Sequence, residues 1–223
     1  MTKLAIYDMD RTITHAPTWT AFLIETARRQ APWRLALLPL AAAATAAYGV
    51  KAIDRGQLKQ MTQRVLLGHR MRDADAKRAA EHFAGRIAGS GVFAGARAQI
   101  AADRAAGYRL VMATASYRFY ASAIADRLGF DDVIATEVER IDDRLRARIS
   151  GENCYGPGKL RMIEAWMTAN GIKRADAQIR FYSDHVSDAP VLEWADEGFA
   201  VNAHGPLRQL ARERGWPIVD WER

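Results

Sequence analysis

Short apolar runs alternate along this chain with longer stretches of helical pattern. Leu4 to Tyr7 is an unbroken apolar run ending at Asp8, as expected of a strand buried on both faces. Arg109-Leu110-Val111-Met112-Ala113 ends at Thr114, Gln178 to Tyr182 ends at Ser183-Asp184, and Gly198 to Val201 ends at Asn202. Ile218-Val219 is a short fifth run. Helices are predicted between them at Phe93 to Ala106, Arg118 to Leu128, Lys159 to Asn170 and Pro206 to Glu213. Gly107, Gly129 and Gly171 stand at helix stops, and Pro206 suits a first turn. This alternation predicts an α/β fold with a doubly wound parallel sheet. Such sheets bind ligands beyond the carboxyl ends of their strands, where Asp8, Thr114 and Asp184 stand.

Two insertions break the alternation. The larger, from about His15 to about Gly91, reads as wholly helical: Thr18 to Arg29, Trp33 to Tyr48, Asp54 to Leu67 and Asp73 to Ala88. It predicts an all-helical cap (15–91) over a core of 1–14 and 92–223. The smaller, Val133 to Ile149, reads as a β-hairpin around Asp142-Asp143.

Leu35 to Val50 carries no charge, contains Pro39 and is rich in alanine. It falls short of the roughly 20 apolar residues of a membrane span. Three readings stay open: a cap helix buried against its neighbours, a homodimer partner, or a peripheral surface that meets lipid.

Composition bounds the rest. The 223 residues carry a formal charge of +6, from arginines scattered among alanines rather than one basic block. Neither zinc-ligand spacing nor an RNA-binding signature accompanies them, so no nucleic-acid partner is expected. A single cysteine, Cys154, cannot build an internal disulfide framework. With no signal-peptide pattern before Leu4, a cytoplasmic protein is expected.

Chemistry concentrates at the predicted strand ends. Asp8 and Asp10 lie two apart, on one side if the strand stays extended. Carboxylates that close repel unless a cation intervenes. Mg²⁺ suits them, being hard and oxygen-seeking. Thr114 and the N–H groups after it can hold phosphate oxygens near a helix N-terminus, or Thr114 can simply cap that helix. Lys159 follows Gly156-Pro157-Gly158 and can neutralise a phosphate or lie exposed. Asp184 and Asp188 can complete a cation site or cap a turn.

Taken in order, these features resemble the haloacid dehalogenase superfamily of phosphohydrolases. Asp8, Asp10 and Thr12 match its D-x-D-x-T motif, Thr114 its strand-end hydroxyl, Lys159 its helix-borne lysine, and Asp184 and Asp188 its acidic D-x-x-x-D. The insert's position resembles the cap of the phosphoserine-phosphatase-like subclass. The resemblance implies phosphomonoester hydrolysis through an aspartyl phosphate on Asp8, with Asp10 as acid and then base. It implies Mg²⁺ held by Asp8, the Asp10 carbonyl and Asp184, supported by Asp188, Thr12 and Ser183. It implies that Thr114, Ala115 and Lys159 bind the phosphate of a small phosphorylated substrate. The alternative substrate is a lipid phosphate at a membrane surface.

Two departures bear on the substrate. Arg11 replaces the small residue many members carry, and Ala115-Ser116 replaces the Gly-Gly of dedicated phosphoserine phosphatases. His15, Thr18, Trp19 and Arg118 lie close in sequence to the motifs, and two readings stay open for each: contact with a leaving group, or a surface or packing role. His185 occupies a slot that varies in the family and carries no expectation. Trp194, Trp216 and Trp221 are expected in packing roles. A signalling receiver is disfavoured because its phosphorylated Asp ends a later strand. A P-loop fails because Leu160 follows Lys159 where Ser or Thr is needed.

Overall fold

The computed structural model describes residues 1–221. Among them one sheet contains β1 (Thr2–Tyr7), β2 (Arg70–Arg72), β3 (Arg109–Tyr117), β4 (Asp132–Ile141), β5 (Arg144–Ser150), β6 (Ala177–Ser183), β7 (Glu197–Val201) and β8 (Ile218–Val219). The order is β2-β5-β4-β3-β1-β6-β7-β8. All neighbours from β4 to β8 pair parallel, whereas β5 pairs antiparallel with β4 and with β2. The core is therefore a doubly wound parallel sheet with a short antiparallel extension at one edge.

Period-two geometry explains why β1 reads as continuously apolar. Leu4 and Ile6 pack into one helical layer and Ala5 and Tyr7 into the opposite one, all fully buried. β3 divides likewise, with Val111 and Ala113 on one face and Leu110 and Met112 on the other. Each such aliphatic side chain contributes roughly 1.5–3 kcal/mol by leaving water.

The insert between β1 and β3 carries α1 (Thr18–Gln30), α2 (Leu38–Gly49), α3 (Arg55–Leu66) and α4 (Asp73–Ser90). The later helices are α5 (Ala94–Ala105), α6 (Arg118–Leu128), α7 (Pro157–Ala169), α8 (Ala189–Trp194) and α9 (Gly205–Arg214). The fold is thus the expected α/β core with a helical cap.

Three details differ from expectation. The insert is not wholly helical, because β2 lies within it and joins β5. A strand of Arg70-Met71-Arg72, with only Met71 buried, is too short and too polar to declare itself by periodicity. The stretch expected as one helix from Trp33 to Tyr48 is a 3₁₀ segment, Pro32–Leu37, followed by α2. Pro39 has no N–H and its ring would clash with a carbonyl four residues back, so an α-helix restarts with proline in its first turn. Finally, β4 is no separate insertion: Asp132 to Ala135 pair parallel with β3 before the strand continues into the hairpin.

Candidate active site

β1 is the point at which the strand order reverses, with β3 on one side and β6 on the other. The crevice beyond its carboxyl end is where such sheets bind ligands. A cavity of about 300 Å³ opens there, lined by Asp8, Asp10, Thr114, Ala115, Lys159, Asp184 and Asp188. The sheet thus gathers residues from four distant segments around one point. Thr12 and Ser183 sit fully buried behind this lining.

Asp8 follows β1 directly, and its N–H donates to the Tyr182 carbonyl at 2.9 Å. Lys159 Nζ donates to Asp8 Oδ1 at 2.7 Å and to Asp188 Oδ2 at 2.6 Å. Ser183 Oγ donates to the same Asp188 oxygen at 2.8 Å. The Thr12 hydroxyl faces Asp8 Oδ2 at 3.2 Å and Asp184 Oδ1 at 3.5 Å, and accepts from the Asp184 N–H at 3.0 Å. Burial pushes the Asp8 carboxyl up to about 6, an effect that Lys159 opposes. Burial, reinforced by Asp8, pushes Asp184 up to about 8. Burial alone would lower the Lys159 ammonium, but Asp188 and Asp8 hold it above the ordinary lysine value.

This donor set fits a hard cation. Two buried carboxyls, Asp8 and Asp184, are both driven toward protonation by their surroundings, and Asp188 Oδ1 is buried with no hydrogen-bond partner. Among the described residues no three His, Cys, Asp or Glu side chains converge as a metal cluster. Mg²⁺ does not need such a cluster, since one or two carboxylates with water and substrate oxygens serve it.

Asp10 is turned differently from Asp8. Its Oδ1 accepts from the Thr18 N–H at 2.8 Å and the Thr18 hydroxyl at 2.7 Å, and its Oδ2 from Ser116 Oγ at 3.1 Å. The carboxylate therefore sits at the N-terminal end of α1, where the helix dipole favours negative charge. Tyr120 closes the ring, donating to Ser116 Oγ at 2.6 Å and lying 3.1 Å from the Thr18 hydroxyl. Because β1 ends at Tyr7, the two acids do not share the extended geometry that would face them the same way.

Thr114 is buried where the pairing of β3 with β4 shifts register before Tyr117. Such a bulge re-aims side chains and frees backbone groups from the ladder. Thr114 Oγ1 accepts from the Ser116 N–H at 3.1 Å, and Tyr117 rather than Thr114 occupies the cap position of α6. Lys159 lies in the first turn of α7, after Gly156 at φ 57° and ψ −137°, a conformation that only glycine adopts without strain. Gly158 is equally constrained, since a Cβ there would come within 2.8 Å of the Asn153 carbonyl.

Lys59, Arg55 and His204 went unseen in the sequence. Lys59 of α3 reaches from the cap into the core and is buried. Its Nζ donates to the Ala115 carbonyl, to Asn153 Oδ1 at 2.9 Å and to Thr136 Oγ1 at 3.4 Å. A signal existed: the buried stripe of α3 is Lys59, Thr62, Gln63 and Leu66, polar where helical spacing calls for apolar residues. Arg55 of α3 also lines the cavity, with its guanidinium 4.4 Å over the Tyr155 ring. His204 and His185 stack in the wall at 4.3 Å, and His204 Nδ1 lies 2.9 Å from the Asp184 carbonyl. Arg11 lines the cavity from a left-handed backbone position, φ 63°.

His15, Thr18, Trp19 and Arg118, for which the sequence leaves substrate contact and packing both open, do not line the cavity. Thr18 is buried against Asp10. Trp19 packs among Phe22, Tyr117 and Tyr120 and donates to Thr62. His15 packs against Phe93, and Arg118 binds Glu137 and the Val133 carbonyl. Of the two readings the packing one holds, because each side chain is claimed by nearer packing or charge. Trp194, Trp216 and Trp221 all pack against the core, as expected. A larger cleft of about 640 Å³, lined by Arg70, Arg72, Asp75 and Arg144, lies elsewhere and holds none of the strand-end acids.

Comparison with known proteins agrees with this geometry. The chain is 36% identical over 118 residues to phosphoserine phosphatase SerB1 of Mycobacterium tuberculosis, a match covering 52% of this chain and 37% of that protein. It thus spans well under half the length of that relative. A protein of unknown function from Bordetella pertussis Tohama I superposes with a TM-score of 0.87 at 26% identity, over 99% of both chains. A phosphoserine phosphatase described as a phospho-aspartyl intermediate analogue shares the fold, with a TM-score of 0.64 at 17% identity over 100% of this chain and 94% of that one. The model of the haloacid dehalogenase-like hydrolases matches residues 5–193, and the chain belongs to that family.

Proposed function

We propose that this chain is a Mg²⁺-dependent phosphomonoester hydrolase that forms an aspartyl phosphate on Asp8. The observation that carries this reading is the Asp8 carboxylate at the cavity floor, held by Lys159 and Thr12 beside Asp184. The core comprises 1–14 and 92–223 and the cap 15–91. The paired backbone of Thr14 and Val92, where the chain leaves and re-enters the core, supports that division.

In the first step an Asp8 oxygen bonds to phosphorus while the ester P–O bond breaks on the opposite side. Asp10 gives its proton to the departing alkoxide. Asp10 then takes a proton from water, whose oxygen attacks phosphorus and releases Asp8 and inorganic phosphate. Thr114, the Ala115 N–H and Lys159 hold the equatorial oxygens. Asp8, the Asp10 carbonyl and Asp184 would hold the cation, with Asp188 and Ser183 orienting Lys159. When bound, Mg²⁺ neutralises charge on the transferring group.

A cavity of about 300 Å³ admits a small phosphorylated metabolite. Arg11 and Arg55 in its lining favour a further anionic group on that substrate. A lipid phosphate is the second reading, favoured by the exposed uncharged helix α2. The buried single thiol Cys154 agrees with a cytoplasmic location.

The test is Asp8→Asn assayed with p-nitrophenyl phosphate, with folding checked by circular dichroism. Turnover should vanish while the spectrum is retained. Undiminished turnover would remove Asp8 as the nucleophile.

A further inference from the structure

Helix α2 contains no charged residue, and only Ala41 and Ala44 in it are buried. Of these two, Ala41 joins Leu23, Ala27 and Leu66 in a small cap cluster. The rest of the segment faces outward: Leu40 is 59% exposed, and the flanking Trp33 and Val50 are 65% and 78% exposed. A helix apolar all round is ordinarily enclosed by protein or lipid. At twelve residues α2 is about 18 Å long. No helix among the described residues is long and apolar enough to cross a membrane.

Charge identifies what covers this surface. From Ala27 to Ile53 the chain has no acidic residue, but it has Arg28, Arg29, Arg34 and Lys51. Arg34 stacks on the exposed Trp33 ring, 4.6 Å from its centroid, while its Nη1 donates to the Arg64 and Val65 carbonyls at 3.3 and 3.0 Å, and Lys51 follows Val50 directly. The acids bounding this stretch are engaged: Asp54 caps α3 and Glu25 binds Arg86. Exposed aliphatic and tryptophan side chains edged by unopposed cations match the boundary between anionic headgroups and acyl chains. A second copy of the chain fits poorly, since a two-fold contact would set the cations against their own counterparts.

We propose that the α2 face of the cap, with Trp33 and Val50, docks on an anionic lipid surface. The apolar side chains enter the boundary region while the exposed Lys51 remains among the headgroups, with Arg34, held by the α3 carbonyls, beside them. The segment then runs through residues 51–54 to Arg55 in the cavity lining.

Sedimentation with vesicles tests this independently of any catalytic reading. The protein should sediment with vesicles of phosphatidylglycerol and phosphatidylcholine, and at least tenfold less with phosphatidylcholine alone. The double variant Leu40→Asp, Val50→Asp removes exposed side chains only. It should lose at least tenfold of the binding and keep its circular dichroism spectrum and its turnover of p-nitrophenyl phosphate. Failure to sediment with the anionic vesicles overturns the proposal, as does equal binding of the double variant. Equal binding to neutral vesicles overturns the assigned role of the cations. A concentration-dependent dimer in ultracentrifugation, abolished by the same double variant, would assign the face to a second copy instead.

Discussion

Lys59 of the cap donates its buried ammonium to the backbone carbonyl of Ala115, within the turn that carries Thr114. One cap side chain thereby reaches directly to the backbone of this turn. Thr136 donates to the same carbonyl at 2.9 Å, so the turn is held from both sides.

Lys59→Met keeps the aliphatic stem and removes all three donated hydrogen bonds. The Ala115 carbonyl keeps Thr136, whereas α3 loses its hydrogen bonds to Ala115, Thr136 and Asn153. Turnover of p-nitrophenyl phosphate should fall at least tenfold, with Lys59→Arg recovering part of it. Burial also pushes Lys59 down to about 7 from its ordinary 10.5. Between those values the unfolded chain binds more protons than the folded one, so this lysine's contribution to stability rises with pH. The stability difference between wild type and Lys59→Met should therefore grow from pH 7 to pH 10, as read from urea midpoints.

Asp10→Asn retains the cap contacts. The amide oxygen can accept from Thr18, and the amide N–H₂ can donate to Ser116 Oγ, which accepts in place of donating. Acid and base function is lost, and kcat should drop by roughly 10²–10⁴. A melting temperature close to wild type together with that drop would separate chemistry from folding.

Metal dependence should carry a pH signature. Without a cation, Asp8 at about 6 and Asp184 at about 8 bind protons that the unfolded chain has released above its ordinary 3.8. The stability of the metal-free protein should thus fall as pH rises from about 4 to 8. Mg²⁺ must displace those protons, so its binding tightens over the upper part of the same range. Added Mg²⁺ should raise the melting temperature more at pH 8.5 than at pH 6. A chelator should stop hydrolysis.

Gly156→Ala places a Cβ on a backbone at φ 57° and ψ −137°. The strain should cost about 1–3 kcal/mol, read from urea unfolding. Because α7 starts at the next residue and carries Lys159, activity should fall further than stability alone accounts for.

The sequence by itself determined the core. Apolar runs of strand length, polar residues at their ends and glycine at helix stops are local signals, because side-chain alternation and helix termination depend on near neighbours. The strand-end positions of Asp8, Thr114 and Asp184 could be read for the same reason. Tertiary structure decided what depends on partners distant in the chain. Arg70–Arg72 is a strand only because β5 offers it an edge, and β4 belongs to the main sheet only because β3 lies beside it. Lys59 meets Ala115, 56 residues away, only once α3 packs against β5. Thr18 and Trp19, close in sequence to Asp10, were drawn out of the cavity by contacts that no spacing announces. Near the cavity, the identity of a residue limits its chemistry, but only packing decides which side chains remain free to use it.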